Sequence, residues 1–325
     1  MFSQLEIGPG SVISSKRRNY VLINLLGEGG FGAVFKVRPQ DGQKSEEYAM
    51  KIEKKKETRL HSKLKMEIAI LKLVGKKPTY FFIVMQLVGK SLADLLEERP
   101  KKVFSIATGL GAAYQCLEAI EDLHAQGFIH RDIKPDNYAI GLGDKKRLIY
   151  LLDFGIARKI LKEDDELKTP RVSANFKGTV SYAAIDSHKN KELSKKDDCE
   201  SWFYMLVELI SATGLPWKDL SNKTVVLDLK VKSRQKGTKE YNLLYEELKR
   251  CKRDFIEIIT YIDKLQYADT PDYEFIYEIL KEAANNCKVK LDSPFDWEDE
   301  PMVTQKSKSK SYAKEDSIVI APIRR

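Results

Sequence analysis

The stretch Ile129-His130-Arg131-Asp132-Ile133-Lys134-Pro135-Asp136-Asn137, followed by Asp153-Phe154-Gly155, constrains this chain more than any other feature. Its polar residues are of the types that transfer of a phosphoryl group asks for. A carboxylate that holds an attacking hydroxyl in line suits Asp132. A cation beside the moving phosphoryl group suits Lys134. Two oxygen ligands that hold Mg²⁺ between phosphates suit Asn137 and Asp153. The ensemble lies far below chance expectation in a chain of 325 residues. A catalytically dead relative would keep the same loop as a fold element, so the motif speaks to fold before it speaks to turnover.

A second feature lies upstream. Gly27, Gly29, Gly30 and Gly32, with Phe31 and Val34, form a G-x-G-x-x-G-x-V run between two strand-like segments, YVLINLLG and GAVFKV. Glycines let a backbone approach an anion with no Cβ in the way, and their N–H groups can then face phosphate oxygens. A dinucleotide fold or a bare hairpin could use the same string. In a dinucleotide unit, however, the last glycine opens a helix, whereas here the chain returns to a strand. EEYAMKIE reads as a third strand and ends its apolar part at Lys51. The 60–73 segment has helical spacing, with Leu64, Ile68 and Leu71 on one face around Glu67. A Lys51–Glu67 pair would hold the ammonium against phosphates. Lys65 offers Glu67 an alternative surface partner. YFFIVMQL reads as a buried strand, and the apolar spacing beyond Ser91 is mostly helical. A small strand-rich part therefore precedes a larger helical part.

With these residues in place, the chain resembles the casein kinase I group of protein kinases, and within it the tau-tubulin kinase branch. The likeness covers nearly the whole chain from Tyr20 to Glu298. It is carried by LKMEIAILK (64–72), VMQL (84–87), KSLADL (90–95), GFIHRDIKPDNYAIG (127–141), LLDFGIAR (151–158), GTVSYAAIDSHKNKE (178–192), DDCESWFYMLVEL (197–209), LPWK (215–218), PDYEFIYEIL (271–280) and DSPFDWE (292–298). The run Ala183-Ala184-Ile185-Asp186 stands where most kinases carry Ala-Pro-Glu, which marks the group. The resemblance implies an α+β, two-lobed kinase fold with a small β-rich lobe to about residue 89 and a helical lobe over about 90–298. It implies ATP and Mg²⁺ as cofactors and Ser/Thr side chains of proteins as acceptors. Lys134, two residues past Asp132, is similar to Ser/Thr kinases rather than tyrosine kinases. The resemblance implies that Thr179 lies beside Asp132 and Lys134, although a threonine after Gly178 can also be an ordinary turn residue. It further implies Met85 as the gatekeeper, Gln86 and Leu87 as the hinge that reads adenine, and Val34 and Ala49 against the nucleotide.

Two departures from the family stand out. The link VGKKPT (74–79) is short where the resemblance implies roughly a dozen more residues and a fourth strand of the small lobe. Extended, it reaches about 20 Å, so the chain can return only if the link is stretched. A pseudokinase that binds ATP or partners without turnover is the rival reading this motivates. The second departure is Ser181, where relatives place an arginine that helps bind an anion near the substrate. Arg171, Lys177 and Lys189 are candidates to compensate, or are solvated loop charge.

The remaining inferences concern surroundings. Hydrophobic residues make up 42% of the chain, enough for a core. The cysteines at 116, 199, 251 and 287 are scattered, which fits reduced thiols better than a disulfide framework or a zinc site. The longest apolar stretch, near Phe203, is interrupted by Glu208 and Pro216 and is too short for a bilayer span, so no membrane partner is expected. A net charge of +8 fits a solvated surface, an acidic or phosphorylated partner, or nucleic acid. No nucleic-acid motif accompanies the charge. Lys54-Lys55-Lys56 with Arg59 and Lys63, the 230–239 cluster and the 249–253 cluster read either as solvated faces or as docking patches for acidic protein tails. Residues 1–18 read as a flexible leader and 299–325 as a basic low-complexity tail around KSKSKSYAK. Thr169 and Ser173 are candidate phosphosites in a loop. The expectation is a monomer in the cytoplasm, and also in the nucleus, acting on acidic, cytoskeletal or phosphorylated proteins.

Overall fold

The computed structural model describes residues 7–14, 18–29, 32–43, 46–54, 75–76 and 80–298. Its first part is one antiparallel sheet built from β1 (Val12–Ser14), β2 (Asn19–Gly29), β3 (Gly32–Pro39), β4 (Tyr48–Lys54), β5 (Gly75–Lys76) and β6 (Tyr80–Gln86), in the spatial order β1-β2-β3-β4-β6-β5. Side chains alternate between the two faces of a strand, and the sequence uses both. Ala33, Phe35, Val37, Met50, Ile52 and Phe82 form a core on one face together with Ile13 and Leu22. Val34, Ala49, Ile83 and Met85 point the other way and join the apolar core of the helical part. That second face fixes where the sheet sits over the cleft.

Two expectations are corrected here. Residues 1–18 are not uniformly a flexible leader. Val12, Ile13 and Ser14 pair with Val21, Tyr20 and Asn19, and Gly10 N donates to Leu22 O at 2.8 Å. Ile13 is 1% exposed. A single buried isoleucine and a backbone ladder suffice to order a segment whose composition alone reads as a leader. The fourth strand is shortened rather than absent: Gly75 and Lys76 pair with Phe82 and Phe81 on the outer edge of β6. An unpaired edge leaves N–H and C=O groups open, and even a two-residue strand covers part of it. The helical segment expected at 60–73 and the basic tail lie outside the described residues, as do the side chains of Lys54 to Lys56, Arg59 and Lys63.

The helical part comprises α1 (Leu92–Glu97), α2 (Ile106–Ala125), α3 (Ile185–His188), α4 (Lys195–Ile210), α5 (Lys223–Lys232), α6 (Lys239–Tyr245), α7 (Lys252–Lys264) and α8 (Tyr273–Cys287). Short two-stranded pairs, β7 (Phe128–Ile129) with β10 (Arg158–Lys159) and β8 (Tyr138–Ile140) with β9 (Ile149–Leu151), lie between α2 and α3 in sequence. Helix α4 is buried on every side, from Asp197 to Ile210. Such a helix must satisfy any polar group it carries. Its Trp202 Nε1 donates to Ala113 O of α2 at 2.8 Å, which locks the two central helices together. At the far end, Asp296 accepts from Ser105 N at 2.7 Å and from the hydroxyls of Ser105 and Thr108. Phe295 and Trp297 stack there at 4.4 Å and join the same core.

Candidate active site

The loop between β7 and β8 carries His130 to Asn137, and its backbone is held from below by α4. Asp198 accepts from His130 N at 2.6 Å, Arg131 N at 2.8 Å and His124 Nε2 at 2.8 Å. Burial alone would raise the Asp198 carboxyl, but His124, His130 and these N–H donors outweigh it and hold it below its ordinary value. Arg131 takes a left-handed backbone, φ 72°, which turns the chain so that Asp132 faces the cleft. His130 Nε2 donates to Leu152 O at 2.8 Å, and the His130 ring meets Phe154 edge-on at 5.3 Å. These two contacts tie the loop to the segment that bears Asp153.

Four of the expected residues meet at one carboxylate. Asn137 Nδ2 donates to Asp132 O at 2.7 Å and lies 3.3 Å from Asp132 Oδ2. Thr179 Oγ1 donates to Asp132 Oδ1 at 2.8 Å. Lys134 Nζ stands 3.5 Å from Asp132 Oδ2. Thr179 is therefore more than a turn residue. Gly178 before it has φ 93°, and a Cβ there would come within 2.7 Å of Arg131 O. Only glycine lets the two loops approach this closely.

A second group gathers opposite. Lys51 is 7% exposed on β4, and its Nζ lies 3.4 Å from Asp153 Oδ1. Gly155 N donates to the same oxygen at 3.0 Å. Burial would raise the Asp153 carboxyl, but Lys51, Gly155 N–H and His130 hold it below the usual carboxylate range. An ionised carboxylate and the amide oxygen of Asn137, whose nitrogen is engaged by Asp132, are the donor types that a hard divalent cation takes. The residues present thus fit such a metal. The expected Lys51–Glu67 pair cannot be placed, because Glu67 lies outside the described residues, as do Gly30 and Phe31.

The roof and hinge follow the sheet register. Gly27 opposes Val34 and Gly29 opposes Gly32. A Cβ on Gly32 would meet Ile52 O at 2.3 Å. Ala49 opposes Met85, and both are buried in the cluster that holds Val34. Leu87 packs against that cluster, and Gln86 Nε2 donates to Tyr150 OH at 3.4 Å. Sequence reading missed the floor beneath the hinge, a small cluster of Ala139, Tyr150 and Leu152 packed with Val88. The alternation on β9 was the available signal, since Ile149 and Leu151 face the helical core and Tyr150 and Leu152 the other way.

Residues 178–184, expected on the acceptor side, are held by α4 and α5. Tyr182 OH donates to buried Glu208, and Trp217 Nε1 donates to Ser181 O at 2.8 Å. Lys230 Nζ donates to Val180 O at 3.1 Å and Ala183 O at 2.5 Å, and lies 4.5 Å from the Tyr204 ring. Lys230 is fully buried, so neither sequence reading of the 230–239 cluster, solvated face or docking patch, holds for it. Acidic residues inside the apolar DDCESWFYMLVEL run were the signal for this scaffold, since a buried carboxylate demands a partner. Ser181 Oγ donates to Lys218 O at 3.2 Å. The expectation that Arg171 could stand in for a missing arginine fails. Arg171 is paired through both nitrogens with buried Glu192, which also lies 3.4 Å from Arg158.

A protein kinase domain family matches residues 20–271 of this sequence. The chain belongs to the protein kinase family. The kinase is similar to the serine/threonine-protein kinase spe-6 of Caenorhabditis elegans, 33% identical over 309 residues, which covers 90% of this chain and 79% of the relative. A probable serine/threonine-protein kinase of Dictyostelium discoideum is 32% identical over 305 residues, covering 89% of this chain and 58% of the relative. Another Caenorhabditis elegans protein named as a serine/threonine-protein kinase is 33% identical over 270 residues, 77% of this chain and 78% of its own. The kinase is thus a serine/threonine-protein kinase, which implies ATP, a divalent metal and protein substrates. Among the described residues no helix is long and apolar enough to cross a membrane.

Proposed function

We propose that this kinase moves the γ-phosphate of ATP onto Ser or Thr hydroxyls as a member of the casein kinase I group, most similar to its tau-tubulin kinase branch, with Mg²⁺ as the metal. The observation that carries the reading is the convergence of Lys134, Asn137 and Thr179 on Asp132. In this reading Asp132 orients the acceptor hydroxyl and takes its proton, and Lys134 neutralises charge that develops on the transferring group. Thr179 fixes the Asp132 rotamer beside the acceptor. Asn137 and Asp153 would hold Mg²⁺, which supplies charge neutralisation between the phosphates when bound. Lys51 and Gly27, Gly29 and Gly32 contact the phosphates. Val34, Ala49 and Met85 enclose the adenine, with Gln86 and Leu87 as its hinge. The kinase domain extends over residues 19–298, preceded by β1, whose Ile13 joins its small-lobe core, and Phe295 and Trp297 lie in its core at the other end. Acidic, cytoskeletal or phosphorylated proteins are the substrate classes, and the chain works as a monomer in the cytoplasm and nucleus.

Phosphate transfer from radiolabelled ATP with Mg²⁺ to casein tests this. The wild-type chain transfers label, and Asp132→Asn and Asp153→Ala do not. The short β5 favours one competing reading, a pseudokinase that binds nucleotide without turnover. A folded wild-type chain that binds ATP and transfers nothing would establish that reading instead.

A further inference from the structure

Between α6 and the start of α7 lies an open groove of about 570 Å³. Five cations line it: Lys236 from the turn after α5, and Lys249, Arg250, Lys252 and Arg253 from the run that enters α7. No acidic side chain lines it. Tyr241 and Ile256 supply an apolar surface between the charges, with Lys252 Nζ 5.4 Å from the Tyr241 ring.

Five cations gather here with no carboxylate in the lining, whereas Lys232 has Asp228 at 2.7 Å and Lys281 has Glu278 at 2.7 Å. Among the described residues no carboxylate lies within ion-pair distance of the five groove cations. Of the acids that flank them in sequence, Glu247 feels the Lys249 charge but makes its hydrogen bonds elsewhere. Glu247 accepts from Ser211 Oγ and Thr213 N, both at 3.0 Å. Asp254 accepts from Asn286 Nδ2 at 3.1 Å. Lys252 and Arg253 also occupy the first turn of α7, the positive end of the helix dipole, beside a single acidic residue of that turn, Asp254. No side chain caps that helix end. The five groove cations outnumber the carboxylates near them, Glu247 and Asp254, so the groove carries a net positive field that a bound anion would relieve.

We propose that this groove docks an acidic segment of the protein substrates, Asp-, Glu- or phosphoserine-rich and carrying an apolar residue, away from the site of transfer. The proposal rests on the Ser/Thr kinase reading and deepens it. A protein segment is favoured over a membrane surface because the cations surround one aromatic and one aliphatic side chain, a pairing that an acidic segment with a single apolar residue complements. The groove also begins at the end of α5, the helix whose Lys230 is bonded to Val180 and Ala183 beside Thr179. A substrate tethered there presents its hydroxyl to Asp132 at a raised effective concentration. Docking of this kind lowers KM for long acidic substrates and leaves kcat alone.

The test uses the full chain and the double charge reversal Lys249→Glu/Arg253→Glu, neither residue belonging to the transfer site. The probe is a fluorescein-labelled peptide of Asp and Glu with one Leu, read by anisotropy. Wild type binds it, increasing salt weakens it, and the double variant binds about tenfold or more weakly. In transfer assays the double variant raises KM for casein by a similar factor, while kcat for casein and both constants for a short uncharged serine peptide stay unchanged. The milder Lys249→Ala/Arg253→Ala pair shifts the same quantities less, in the same direction. Equal peptide binding by wild type and double variant overturns the proposal. So does variant-sensitive binding of phosphatidylserine vesicles without binding of the peptide, which would assign the groove to a membrane. A chain that transfers no phosphate to any substrate refutes the kinase reading alone, because the anisotropy measurement does not depend on turnover.

Discussion

Asp132 accepts a hydrogen bond from the Thr179 hydroxyl, faces the Lys134 ammonium and accepts at its backbone oxygen from Asn137. Each partner acts on a different property of the carboxylate. Thr179 fixes its rotamer, Lys134 supplies charge, and Asn137 holds the loop that carries it. On the proposed reading, replacing Asp132 by Asn keeps the shape but removes the proton acceptor. The expected result is a fall in kcat of about 10²–10⁴-fold with the KM for ATP nearly unchanged, read in steady-state assays with casein. Thr179→Val should cost less, roughly tenfold in kcat, the worth of one hydrogen bond to a charged group. Equal losses in the two variants would mean that Thr179 acts in transfer itself and not through the rotamer of Asp132. Arg171 teaches a different point at this scale. A cation near the substrate in sequence proved to be bound to Glu192, and since Arg158 is drawn to the same carboxylate, these arginines hold an internal counter-ion. The exposed Thr169 and Ser173 remain candidate phosphosites.

At the scale of elements, β1 and α5 each perform a task that composition conceals. Strand β1 adds Ile13 to the small-lobe core. Ile13→Ala should destabilise the protein by about 2–5 kcal/mol, measured as a shift in chemical denaturation midpoint, and an unchanged midpoint would mean the segment is dispensable. Helix α5 ties itself to the acceptor-side loop through Lys230. Burial, aided by Arg234 and opposed by Glu200, pushes that ammonium from 10.5 down to about 7. The unfolded chain keeps the lysine proton up to its ordinary pKa, while the folded chain releases it above about 7. Between those values the unfolded state holds more protons, so stability gains from this group as pH rises through that window and is lowest below it. Lys230→Met should remove that rise. Thermal melts of both proteins across pH 7 to pH 10.5 check it, and parallel curves would show that Lys230 does not titrate there.

Across the whole molecule, one apolar core runs from Val34, Ala49 and Met85 of the sheet into Phe154, Leu151 and α4. The cleft lies along this seam, with Lys51 on the sheet side and Asp153 on the helical side. A nucleotide–metal complex held by both sides binds only the folded chain and should stabilise it. At a ligand concentration of about a hundred times Kd the gain is about 2.7 kcal/mol, a rise in Tm of several degrees in differential scanning fluorimetry. Asp153→Ala should lose most of that rise. A full rise in the variant would remove Asp153 from the metal's ligands.

The sequence by itself determined the protein kinase family and the two-part layout, and it singled out the candidate transfer residues, because those rest on local spacing. The loop from His130 to Asn137 and the Asp153 segment each need particular side chains at neighbouring positions, so the chemistry is written contiguously. The resemblance implied Val34, Ala49 and Met85 at the nucleotide, and the structure places the three in one cluster. The tertiary structure decided what depends on partners distant in the chain. Asp198 lies far beyond the loop whose N–H groups it accepts, and Lys230 reaches back to Val180 and Ala183. Glu192 claims an arginine from an earlier loop, and Ile13 is ordered by a strand it precedes. A basic or acidic letter states a charge but not its partner. Whether that charge is solvated, paired, or left facing a groove is fixed only when burial brings the other side chain to it or keeps it away.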